Sequence, residues 1–282
     1  MSALLEPFSY EYMVTAMWVS ALVGATCAFL SAFLMLKGWS LMGDAMSHAI
    51  VPGVATAYIL GLPYSFGAFI AGGLAAGAIT LVRQRTALRE DAVIGLVFTS
   101  FFAFGLLLLS IRPAAVDIQT IALGNILAIA PGDAVQMVAI SLATLALLGV
   151  FWRDLLATFF DEDHARSVGV RVGVLKPLFF ALLAACTVAA LQAVGAFLVI
   201  AMVITPGATA YLLTDRFSRL VAIAMAVGAG SSFAGVYASY FLDAATGGVI
   251  IVLQTLVFIG VFVFAPRHGL LANRRAMRGG QA

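Results

Sequence analysis

Long apolar blocks separated by short polar punctuation run through this chain of 282 residues. Several of them reach the ~17–25 uninterrupted apolar residues that a helix needs to cross ~30 Å of hydrocarbon. The blocks fall at about 13–36, 41–60, 64–82, 93–111, 134–152, 178–194, 196–213, 220–242 and 248–265. A transmembrane barrel would show short alternating segments instead. The pattern predicts an all-α fold, a polytopic transmembrane helical bundle of about 8–9 spans. The sixth and seventh blocks are the tightest. Residues 177–214 are too long for one span and barely enough for two, with Ala193 to Gly195 as the turn. A partly re-entrant segment is the alternative there. Residues 112–133 are semi-apolar, with Asp117, Gln119, Asn125 and Asp133 interspersed, and suit either a loop or a half-helix dipping back into the protein. Nothing divides the chain, so 1–282 reads as a single transmembrane domain.

Composition agrees: 63% of residues are hydrophobic and 10% charged, against about 25% charged in a soluble domain. Charge placement then sets orientation, because Lys and Arg collect on the cytoplasmic side. With the N-terminus outside and the C-terminus cytoplasmic, Arg112 is the one basic residue of the 15 left on the external face. The opposite orientation would put nearly all of them on the wrong side. The net charge of +2 is too small to imply a nucleic-acid partner. Met1 to Tyr12 holds Glu6 and Glu11 but no Lys or Arg, and so lacks the basic region of a signal peptide.

The polar residues left inside apolar blocks carry the candidate chemistry. Lys37 to Gly53, KGWSLMGDAMSHAIVPG, places Asp44 and His48 four residues apart, one turn apart on one helix face. Counting ~1.5 Å per residue from Ser40 puts His48 about 12 Å into the membrane. A charge near the bilayer centre costs at least about 2.5–3.5 kcal/mol on insertion scales, so such residues face an interior pathway or a partner. Asp oxygen with His nitrogen suits a divalent first-row metal. The plainer alternative is that Asp44 caps a helix start after Gly43 and His48 satisfies a neighbouring carbonyl.

Other features have structural readings. Cys27 and Cys186 lie inside apolar spans, with neither disulfide nor CxxC spacing, and read as small core residues. VGAGSSFAG (Val227 to Gly235) and GGLAAGAIT (Gly72 to Thr80) read as surfaces for close helix approach. Thr205-Pro206-Gly207 predicts a kink or break. Gln192 and Gln254 read as amides tying helices together, and His164 and His268 as surface residues. The segment at about 154–176 is the longest cytoplasmic connection. In it Asp161 is placed to cap a short helix, Glu162 and Asp163 to lie at its positive end and Gly169 to end it. Phe159, Phe160 and Val168 give it an apolar side, which fits a docking helix for a cytoplasmic partner or, more plainly, a solvated connector. The chain has no HExxH, GxSxG, Walker A or strand-associated GxGxxG. An enzymatic reading therefore fails, and any ATP hydrolysis must come from another subunit.

KGWSLMGDAMSHAIVPG resembles the signature of integral-membrane permeases of the ABC-type metal-cation uptake family, which serves manganese, iron and zinc. The similarity continues through FDEDHARSVGV (Phe160 to Val170) and VGAFLVIAMVITPGATAYLL (Val194 to Leu213) and covers essentially the whole chain. The opening EPFSYEYMVTAMWVSALVGATCAFLSAFLMLKGW is most similar to the manganese and chelated-iron branch. The resemblance implies a permease of the bacterial cytoplasmic (inner) membrane, paired with a second copy or a sister permease. Cytoplasmic ATPase subunits and an extracytoplasmic metal-binding protein complete the importer. It implies that Asp44 and His48 lie on the translocation path of Mn2+ or Fe2+, with Zn2+ as the near neighbour, and that no cofactor is permanently bound. It also implies that Phe160, Asp161, Glu162, Asp163, Arg166 and Gly169 belong to the ATPase-coupling element, and that about 266–282 is a cytoplasmic tail. Outside this class, a proton-coupled secondary carrier using Asp44 and His48 as a relay, or a non-transporting scaffold, remains open.

Overall fold

A computed structural model of the chain describes residues 3–111, 126–195 and 199–265. Most of the 112–133 segment, expected as a loop or a half-helix, lies outside them at 112–125, as do His268 and the tail from 266. Every regular element among the described residues is helical. After a short 3-10 turn (Ala3–Ser9) come α1 (Glu11–Lys37), α2 (Ser40–Ala49), α3 (Val51–Leu60), α4 (Tyr64–Arg85) and α5 (Glu90–Ile111). A one-turn 3-10 element (Ile126–Ala128) leads to α6 (Pro131–Phe160), α7 (Glu162–Ser167), α8 (Val172–Val194), α9 (Val199–Leu213), α10 (Phe217–Leu242) and α11 (Thr246–Phe264).

Among the described residues 7 helices are long and apolar enough to cross a membrane. Two shorter apolar helices, Ala45–Leu60 and Val199–Leu213, add to them. The span count of about 8–9 is thus met roughly, with two spans shorter than the rest. One is the predicted seventh, α9. The other is the predicted second span, which divides at Ile50 into two ten-residue helices, α2 and α3. The cause is Pro52. It has no N–H to give the carbonyl of His48 four residues back, and the Ile50 N–H turns to that carbonyl instead.

The bundle is arranged around α1, which packs on α10, α9, α6 and α8. In lipid, apolar burial does not drive helices together, so close approach depends on small residues. Gly24 supplies it: a Cβ there would lie 2.5 Å from the carbonyl oxygen of Gly228 on α10. Gly228, Ser231, Ser232 and Gly235 all face inward as the sequence predicts, whereas Gly230 opens outward. On α4, Gly72 meets Ala184 of α8, while Gly73 and Gly77 have open space. Cys27 and Cys186 are fully buried core residues whose sulfurs, 3.4 Å apart between α1 and α8, share a hydrogen bond and form no disulfide.

Two expectations change. Of the kink or break expected at Thr205-Pro206-Gly207, the break does not occur: helix α9 continues through it. The Ser31 hydroxyl of α1 enters its hydrogen-bond ladder, donating to the Ile204 carbonyl at 3.1 Å and accepting from the Gly207 N–H at 3.0 Å. This re-satisfies backbone groups disturbed by the proline, so the helix need not end. The Gln254 amide does not tie helices, since neither of its polar atoms has a hydrogen-bond partner among the described residues, and Oε1 of Gln192 has none either.

Candidate metal pathway and coupling segment

Helix α1 ends on Gly38, in the left-handed region at φ 71°, and α2 starts after an N-cap at Trp39. Asp44 therefore lies in the second turn of α2 and is not its cap residue, which removes the plainer reading of that aspartate. His48 lies one turn further on, in the last turn before the Ile50 break. Helix α2 is enclosed by α5, α9, α8 and α4. Gly43 makes room for α9: a Cβ there would come 3.3 Å from Val203. Just past the break, Gly105 of α5 admits Pro52, and Gly53 of α3 packs against Gly67 of α4.

The His48 ring is half-buried and lies against two phenylalanines of α5. Its centroid is 5.3 Å from that of Phe98 and 5.2 Å from that of Phe102. Sequence reasoning missed both, since FTSFFAFG reads only as an apolar stretch. Among the described residues no three of His, Cys, Asp and Glu come together in a way that could hold a metal ion.

At the basic ends of α1, α4 and α8 stands the predicted short helix, α7. Asp161 is its N-cap, and its carboxylate accepts from the N–H groups of Asp163 and His164 at 3.0 Å each. The bond from His164, together with that from Asp163, holds the Asp161 carboxyl below its ordinary value despite some desolvation. Burial pushes the Glu162 carboxyl up, but its hydrogen bond and ion pair with Lys176 more than offset this, leaving it below the usual range. Arg166 lies 3.9 Å from both Glu162 and Asp163. Gly169, at φ 86°, ends the segment in the left-handed conformation.

The predicted apolar side of this segment divides in two. Phe159 is 1% exposed, Phe160 80%. The Phe159 ring sits 4.7 Å from Phe179, 5.4 Å from Trp39 and 5.8 Å from Phe33. Two residues before the α7 cap, the chain is thus anchored in an aromatic cluster that reaches Trp39, the N-cap of α2. Arg83 of α4 lies over the other part of that cluster, 5.9 Å from the Trp39 ring centroid. Phe160 and Val168 are left outward on either side of α7. His164 is exposed, as expected.

The profile of the ABC 3 transport family matches residues 9–265. This chain belongs to that family. Two relatives of this ABC 3 permease extend over almost its full length. It is 64% identical over 275 residues to the chelated iron transport system membrane protein YfeC of Yersinia pestis, covering 98% of this chain and 94% of that one. It is 45% identical over 277 residues to the manganese transport system membrane protein MntB of Synechocystis, covering 98% and 90%. Among solved structures, PsaBC from Streptococcus pneumoniae in complex with Fab matches with a TM-score of 0.85 at 34% identity, covering 96% of this chain and 98% of that one. The all-helical fold and the membrane-permease class are therefore those of this family, and an ABC family leaves no observation in favour of a proton-coupled carrier.

Proposed function

We propose that this ABC 3 permease carries divalent manganese or iron into the bacterial cytoplasm across the inner membrane. Cytoplasmic ATPase subunits would drive it, and an extracytoplasmic metal-binding protein would supply the ion. The observation that carries the substrate class is near-full-length similarity to membrane proteins named for chelated iron and for manganese transport. Asp44 and His48, one turn apart within α2, are the metal ligands of the path. Two permease copies, or this one and a sister, meeting across a pseudo-two-fold axis bring two carboxylates and two imidazoles to one dehydrated ion. The two aspartates give that site a charge of −2, which offsets the ion's own and makes entry into low dielectric tolerable.

Carboxylate oxygen with some imidazole suits Mn2+ and Fe2+, while Zn2+ binds such donors more tightly by the usual order of affinities. Zinc is therefore the nearest competitor. The ATPases would act on the permease through Phe160, Asp161, Glu162, Asp163, Arg166 and Gly169. The α7 helix they build is rigidly capped and joined through Phe159 to Trp39 at the start of α2. Movement at α7 is thereby passed to the helix that bears the ligands.

The test is ATP-dependent uptake of Mn2+, Fe2+ and Zn2+ by vesicles holding the intact transporter, with Asp44→Ala and His48→Ala beside the parent. Both variants are expected to assemble and to lose at least about 10-fold in uptake, the range seen when metal-site interactions are removed. Full uptake by assembled variants would put the pathway elsewhere.

A further inference from the structure

Helix α7 is tied to the bundle at both ends, and the two ties differ in kind. Upstream the tie is apolar, through Phe159. Downstream it is ionic: Glu162, the first residue of α7, accepts through Oε1 from the Nζ of Lys176 in the second turn of α8. The pair is sheltered. The side chains of Lys176 and Glu162 are 15% and 23% exposed, against 96% for neighbouring Asp163. Arg166 stands 3.9 Å from Oε2 of the same carboxylate, but it belongs to α7 itself and so joins α7 to no other helix through this contact. The backbone between the two helices is a short turn with Gly169 in the left-handed region. A glycine link is permissive in its torsions, and the Glu162–Lys176 bond spans it. Pro177, next to Lys176, has no N–H for the Gly173 carbonyl four residues back, so the start of α8 lacks one rung of its own ladder. One turn beyond Lys176, Phe179 and Phe180 are buried. The Phe180 ring stacks on that of Trp39, the N-cap of α2, with centroids 5.6 Å apart and planes inclined by 21°. Phe159 reaches the same indole from the end of α6 at 5.4 Å. Both ties of α7 thus lead to the residue that begins the helix bearing Asp44 and His48.

We propose that the Glu162–Lys176 ion pair is a coupling strut. It makes α7 and the first turns of α8 move as one body, so that movement of α7 reaches α2 through Phe180 as well as through Phe159. This rests on the reading of α7 as the element on which the ATPases act. Lys176 is then a positioning residue, whose role needs no contact with metal or ATPase. Without the pair, α7 could swing about Gly169 and leave α8 in place. A hydrogen-bonded ion pair drawn out of bulk water resists separation, because either partner alone is poorly solvated there. A push on α7 therefore has to displace α8 or break the pair.

Coupling and stability separate in the ratio of metal imported to ATP hydrolysed, since loss of folded protein lowers both together. Lys176→Met keeps the apolar stem and removes the charge; Lys176→Arg keeps the charge. The ratio is read for Mn2+ in vesicles holding the intact transporter with its ATPase and binding protein, and the ATPase retained is read on the purified permease. Lys176→Met and Glu162→Gln are each expected to retain the ATPase and to import at least about 5-fold less Mn2+ per ATP, the lower end of usual coupling between sites. The double variant should lose no more than either single one, because both act through one bond. Lys176→Arg should return the ratio towards the parent. A parental ratio in both single variants would overturn the proposal. So would a fall in uptake matched by an equal fall in hydrolysis, or an ATPase that no longer binds. A permease with Phe160→Ala, Asp163→Ala and Arg166→Ala together tests the reading beneath. If it keeps its ATPase and uptake in full, α7 is not the docking element and that reading falls first. If it loses both while Lys176→Met keeps a parental ratio, the strut alone falls.

Discussion

A Cβ at position 24 has nowhere to go: it would stand 2.5 Å from the Gly228 carbonyl oxygen and 2.3 Å from the Ser232 hydroxyl. A hydroxyl can turn aside, but a helix backbone cannot, so Gly24→Ala must push α1 and α10 apart. Overpacking of this kind typically costs about 1–3 kcal/mol. Gly73 is the matched control, since nothing lies within 4 Å of a Cβ built there. Alanine in place of a mid-helix glycine gains up to about 1 kcal/mol in helix propensity. Thermal unfolding in detergent should thus show a lowered midpoint for Gly24→Ala and an equal or higher one for Gly73→Ala. A tolerant Gly24→Ala would mean that α1 and α10 approach less closely than described. Composition marks both glycines equally; only the neighbour across the interface tells them apart.

Helix α7 shows which parts of an element a sequence exposes. Its cap, first-turn acids and terminal glycine are local devices, and all are legible from FDEDHARSVG because each acts on backbone groups within a few residues. The Asp161 cap carries a pH dependence whose sign follows from its shift. The folded carboxyl titrates below the ordinary value of 3.8. Its stabilisation is complete above the unfolded value and is lost as pH falls through the lower, folded one. Amide-exchange protection at Asp163 and His164 should therefore hold steady from neutral pH down to about 4 and fall below it. Asp161→Asn, an equally good cap without a titratable group, should keep the protection and lose that pH dependence. Protection falling near pH 6 instead would assign the change to a different group. By contrast, the contact of His48 with Phe98 and Phe102 depends on where α2 crosses α5. That is not local, and it was not legible. Pro206 makes the same point from the other side: its local signal is strong, but Ser31 of a distant helix answers it.

Across the whole bundle, burial runs inward from α5 and α11 to α1 and α8. Apolar blocks locate the long helices because length and apolarity are what hydrocarbon demands of each span separately. They say nothing of which helices lie inside, since a lipid-facing leucine and a core leucine look alike in a sequence. Exposure therefore acquires meaning only at an end of the bundle, where lipid no longer covers it. Phe159 and Phe160 adjoin there and differ completely. Phe159 fills the cluster with Phe33, Trp39 and Phe179, and large-to-small change at such a site costs about 3–5 kcal/mol. Phe160 points outward beside α7, at the basic ends of the helices, and nothing among the described residues covers it. If the ATPase subunits dock on α7, this ring is an apolar anchor for them, of the type whose removal costs a complex 2 kcal/mol or more, roughly 30-fold in affinity. Phe159→Ala should therefore lower the unfolding midpoint of the isolated permease. Phe160→Ala should leave that midpoint unchanged, yet reduce the ATPase retained on the purified permease and with it ATP-dependent uptake. A Phe160→Ala permease that holds its ATPase as firmly as the parent would show that the docking surface on α7 lies on its charged face, with Glu162, Asp163 and Arg166.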